Sequence, residues 1–177
     1  MKKLMLTVAV LGLAFVALGC EKAGVAAQTA AQAVSNTLDE AEALRTEGTL
    51  DAAGELAVVR AARDVNDAVY EGSDRVLKAG QVDSTTSGRL RAGIDLFDAL
   101  NNAGTLHIKS GPRLKTIRTW TGRARAGLAV YELVKGPGEK KPKSLTPEAR
   151  RRFEEARDSA QRNRERINQA IARLEGR

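Results

Sequence analysis

The sequence predicts an all-α protein, a helical bundle of four to five helices, and three observations carry that prediction. Alanine leads the apolar residues, and alanine has the highest helix propensity of any residue. Apolar positions recur at spacings of three and four, while few stretches show the two-residue alternation of half-buried strands. Aromatics make up only 3% of the 177 residues, with one tryptophan, Trp120, so small side chains must fill the seams and the helices should approach closely. The length suits one core. With a single cysteine, the fold must be held by packing and not by disulfides.

The first helix is expected over 25–44, where Val34, Leu38 and Ala41 share a face. It has few large apolar groups, so it reads either as a late-packing helix or as a stalk, and Gly48 closes it. A second helix, from about Leu50 to Ala79, carries Val58, Ala62, Val65, Val69 and Val76 in one apolar stripe. Gly80 ends it, and the polar run Asp83 to Ser87 is a loop or a cap for the next element. A third helix, over about 87–103, carries Leu90, Ile94, Phe97 and Leu100 and stops at Asn101, Asn102 and Gly104.

Residues 105–110 are ambiguous, because Leu106 and Ile108 alternate with polar residues as in a short extended connection. After Gly111 and Pro112 a fourth helix runs to about Lys135 with Leu114, Ile117, Ala124, Leu128 and Tyr131 in register. Residues 136–143 contain two glycines and two prolines among lysines and read as an exposed linker between a 49–135 bundle and a basic 144–177 helix. Thr146, Pro147 and Glu148 supply a capping hydroxyl, a first-turn proline and an acid at the positive end of the helix dipole. The last helix has a three-four stripe of Phe153, Ala156, Ala160, Asn163, Ile167, Ala170 and Leu174. Such a seam suits docking on its own bundle or pairing with a partner helix, and Asn163 would fix register in either case.

The first twenty residues have another logic. Lys2 and Lys3 precede an uncharged apolar run from Leu4 to Leu18, followed by Gly19 and Cys20, which is the layout of a signal peptide over 1–19. The run falls short of the roughly 20 residues a membrane-spanning helix needs. Ala17, Leu18, Gly19 and Cys20 resemble a bacterial lipoprotein lipobox, with Ala17 where that family usually has a larger aliphatic residue. The resemblance covers the leader alone. It implies a diacylglycerol joined to Cys20 by a thioether, cleavage before Cys20 and acylation of the new amino group, giving two or three chains and a stable anchor. Glu21 differs from the aspartate that signals inner-membrane retention in that family. The resemblance therefore favours the periplasmic face of the outer membrane in a two-membrane cell.

Charge narrows the functional classes. Residues 21–98 hold 14 acids and 8 bases, 99–138 hold 1 acid and 7 bases, and 139–177 hold 7 acids and 12 bases. The first two stretches are complementary, so the fourth helix is expected beside the earlier ones. The tail's Arg150, Arg151, Arg152, Arg162, Arg164 and Arg166 form either a solvated face interspersed with Glu148, Glu154, Glu155 and Glu165 or a contact with an acidic envelope component. Anionic lipid, a cell-wall polymer or an envelope protein would serve as that partner. Nucleic acid is not expected, because export removes the chain from it and no reading motif accompanies the charge.

A faint repeat spaced by 31 residues aligns Arg60 and Asp64 with Arg91 and Asp95, each pair one helical turn apart. One histidine, His107, and one lipid-bearing cysteine leave no zinc cluster and no triad, so no cofactor, metal or catalytic site is expected. Asp64 with Asp67 and Asp95 with Asp98 are carboxylate pairs beside arginines, which favours salt-bridged surface over glycoside chemistry. The sequence thus points to a non-enzymatic, lipid-anchored envelope protein of structural or binding type, concerned with surface exclusion or envelope integrity. An envelope hydrolase or a hydrolase inhibitor is the alternative.

Overall fold

The computed structural model describes residues 2–48, 50–82, 88, 91, 95 and 143–176, with side chains from Cys20 onward except at Lys143. Three long helices make up nearly all of this part. Helix α1 spans Lys2–Thr46, α2 spans Ala52–Ala79 and α3 spans Pro147–Leu174. Two two-residue strands, β1 at Gln81–Val82 and β2 at Lys143–Ser144, pair antiparallel between α2 and α3. The expected third helix is helical at Gly88, Arg91 and Asp95. Its other residues, the ambiguous 105–110, the fourth helix and the linker before Lys143 lie outside the described residues.

The element boundaries follow from local chemistry. Gly48 adopts φ 70°, which a side chain would resist, and its N–H bonds the Arg45 carbonyl to close α1. Asp51 caps α2 by accepting from the Gly54 N–H at 2.7 Å, and Gly80, at φ 67°, returns its N–H to Val76. Thr146 caps α3 through the Ala149 N–H at 3.1 Å, with Pro147 in the first turn. The linker reading changes at its last residue, because Lys143 is in β2, opposite Val82.

Helices α1 and α3 run parallel to one another, and α2 runs antiparallel to both. Gln28 meets Glu155, and Glu42 meets Arg173, so α1 and α3 advance together; Asp67 pairs with Arg164 and Glu55 with Arg173, so α2 descends as α3 rises. The α1 face is alanine-rich, with Ala23, Ala26, Ala27, Ala30 and Ala31 buried ahead of Val34, Leu38 and Ala41. The helix is therefore a core member along this length and not a stalk. At Gly24 a Cβ would stand 2.9 Å from the Arg152 Cβ and 3.4 Å from the Ala149 carbonyl, so the missing side chain sets the approach of α3.

The seam read in the last helix is the docked face. Ala149, Phe153, Ala156, Ala160 and Ile167 are fully buried, and Ala170 and Leu174 pack partly buried at the far end. Asn163 donates from Nδ2 to the Ala31 carbonyl at 2.9 Å, which locks α3 to α1 in register. A second asparagine, Asn66 of α2, donates to the Ala160 carbonyl of α3 at 2.9 Å, one turn away. Each helix carbonyl has a second lone pair free for such a bond.

Candidate functional site

The described bundle has two chemically different ends. At one, Cys20 is fully buried among Val76, Val82, Ala149 and Phe153, with its thiol directed at the Ser144 carbonyl 3.9 Å away. At the other, roughly 30 Å along α1 at about 1.5 Å per residue, the three helices line a groove of about 310 Å³. Its apolar floor is Leu38 of α1, Val59 of α2 and Ala170 of α3.

The groove's rim is charged. Glu55, in the first turn of α2, is only 2% exposed and accepts from Arg173 Nη2 at 2.5 Å. Its other oxygen lies 3.8 Å from Arg45 Nε, and Arg173 Nη1 reaches Glu42 at 3.4 Å. Burying a carboxylate is costly unless it is paired, and the positive end of α2 adds to what the two guanidiniums supply. Arg166 completes the rim, bonding Asp39 at 2.5 Å and Ser35 Oγ at 3.1 Å. Glu55 was missed in the sequence, although a signal exists: it falls three residues before Val58, where the apolar stripe of α2 would begin.

The six arginines singled out in the tail do not converge. They spread over roughly 24 Å of α3, and most have internal partners. Arg151 bonds Glu148 at 2.8 Å and Glu155 at 3.4 Å, and Arg152 approaches Glu148 at 3.0 Å and donates to Gln28 at 3.1 Å. Arg162 donates to Ser159 Oγ at 2.9 Å. Arg164 bonds Asp67 at 2.8 Å and lies over the Tyr70 ring, 4.3 Å from its centre. Arg150 is exposed and forms no ion pair among the described residues. The hydrogen bond from Arg151 holds the Glu148 carboxyl below its usual range and raises the arginine in turn, as the Asp74 hydrogen bond raises Lys78.

The acids of α1 and α2 meet bases of α3, through Asp39, Glu42, Glu55 and Asp67; the fourth helix, expected to complement them, lies outside the described residues. Arg60 reaches across to Glu175 at 2.8 Å, so its observed partner is not Asp64. Of the carboxylate pairs, Asp67 is bound to Arg164, while Asp98 and His107 are outside the described residues. Among the described residues there is no group of three or more metal-ligating side chains, and no helix is long and apolar enough to cross a membrane. No family model, curated protein or solved structure matches the chain.

Proposed function

We propose that this chain is a lipid-anchored protein of the bacterial cell envelope that acts by binding, holding its helical bundle at the membrane through Cys20 and offering the opposite end to an envelope component. The observation that carries this reading is the order Lys2, Lys3, apolar run, Gly19, Cys20, with the cysteine roughly 30 Å along α1 from the groove. The helices read over about 87–103 and from Pro112 to about Lys135 would enlarge the bundle to five. The periplasmic face of an outer membrane is the favoured location.

Burial of the thiol is compatible with the anchor. Cleavage before Cys20 makes it the first residue of α1, where the leading N–H groups have no intrahelical partners and the turn frays readily. Release of that one turn moves the sulfur out of the cluster, and Ala23 then becomes the first buried α1 residue. The test is the intact mass of the protein from the membrane fraction beside a Cys20→Ser variant. A chain beginning at Cys20 with acyl mass, lost in the variant, supports the reading; an unmodified chain in the cytosol overturns it.

A further inference from the structure

We propose that the Cys20 end of the bundle is a contact surface for an anionic lipid bilayer, formed by Lys22, Arg75 and Arg150, one cation from each helix. The proposal rests on the lipid-anchor reading, since the acyl chains would hold this end at the membrane. Lys22 is two residues past Cys20, Arg75 adjoins Val76, and Arg150 follows Ala149; Val76 and Ala149 belong to the cluster that encloses Cys20. All three cations are exposed, and none forms an ion pair among the described residues. Their neighbours are already paired, Lys78 with Asp74 at 2.6 Å, Arg151 with Glu155 at 3.4 Å and Arg152 with Glu148 at 3.0 Å.

The charge is polarised along the bundle. Residues 20–27, 71–79 and 143–154, at the Cys20 end, hold seven bases and five acids; residues 39–60 and 166–176, at the groove end, hold four bases and seven acids. An anionic surface attracts the first end and repels the second. The field therefore stands the bundle upright and turns the groove away from the membrane. Each basic residue near such a surface strengthens binding about five-fold, and within a Debye length of the headgroups salt weakens it.

The experiment uses the full chain with Cys20→Ser, to which no lipid can attach, and vesicles of phosphatidylcholine with and without phosphatidylglycerol. The leader, Lys2 and Lys3 are common to every form, so only the difference between the two vesicle types is read. Phosphatidylglycerol should tighten binding, and Lys22→Gln, Arg75→Gln and Arg150→Gln together should weaken it on the order of a hundred-fold. Each single substitution, checked for unchanged helical circular dichroism, should weaken it about five-fold, while Arg162→Gln leaves it unchanged. Equal binding to both vesicle types, a triple variant that binds like its parent, or an equal loss in Arg162→Gln overturns the proposal. The intact-mass measurement decides the anchor independently, because that anchor is absent from every protein in the vesicle assay.

Discussion

Glu55 and Arg173 join the start of α2 to the end of α3 through a buried carboxylate and a half-exposed guanidinium, 2.5 Å apart at the rim of the groove. The asymmetry of burial decides which partner matters more. Arg173 has water to fall back on, at 54% side-chain exposure, whereas Glu55 at 2% has, among the described residues, only Arg45 as a second cation, at 3.8 Å. Arg173→Ala should therefore destabilise the fold by about 2 kcal/mol, the cost of a buried charged acceptor losing its main donor. The double variant with Glu55→Gln should recover part of the loss. Urea denaturation of the four corners of that cycle measures the coupling.

The two asparagines should not be equivalent. Asn163 donates to Ala31 at 2.9 Å, and Asn66 donates to Ala160 at the same distance, but Asn66 Oδ1 is buried with no partner among the described residues. Asn66→Ala removes one bond together with one unsatisfied acceptor, so its cost should be the smaller, near 1 kcal/mol. Asn163→Ala should cost about 2 kcal/mol, from the lost bond and the gap left between α1 and α3. Thermal unfolding of both variants at one protein concentration gives the order.

Gly24 should resist enlargement. A leucine there must displace the α3 backbone around Ala149 and Arg152, so Gly24→Leu should destabilise by about 1–3 kcal/mol through overpacking. Gly24→Ala should lose less, because alanine regains helix propensity while meeting the Arg152 Cβ at 2.9 Å. Chemical denaturation of the two variants should rank leucine well below alanine.

Glu148 ties the start of α3 to pH. Its folded carboxyl lies below the ordinary 4.5 because Arg151 donates to it, so the unfolded chain binds the proton more tightly. The contribution is complete above 4.5 and is lost as pH falls through the depressed folded value. Arg151→Ala should move the Glu148 titration back toward 4.5, as followed by carboxyl NMR. The acid-side slope of stability should flatten in the same variant.

Surface arginines of the last helix should divide by partner. Arg164→Ala loses a bond to Asp67 and the Tyr70 ring contact, and should cost about 1 kcal/mol. Arg162→Ala loses only an exposed bond to Ser159, and should remain within about 0.5 kcal/mol of the parent. Paired denaturation curves check both values.

The parts of this protein legible in sequence are those whose physics is local. Helix propensity, glycine stops at Gly48 and Gly80, the Thr146-Pro147-Glu148 start and the periodicity of Phe153 to Ile167 all act within a few residues, and the described helices follow them. Even the role of Asn163 was readable, because a polar residue in an apolar seam must find a partner across it. The groove was not readable. Leu38, Val59 and Ala170 belong to three helices, and nothing in any one of them records that they share a floor. Glu55 is enclosed by Arg45 of α1 and Arg173 of α3, and neither partner is near it in the chain.

By itself the sequence determined the helical class, the ends of α2 and α3, and the buried face of the last helix. Backbone hydrogen bonding and side-chain periodicity specify these without reference to distant residues. Only the tertiary structure decided that α1 is core and not stalk, that the acids of α1 and α2 meet the arginines of α3, and that Cys20 and the groove occupy opposite ends. Those outcomes depend on which of several complementary faces meet, and that choice is made by close approach at Gly24 and by the cross-helix bonds of Asn66 and Asn163.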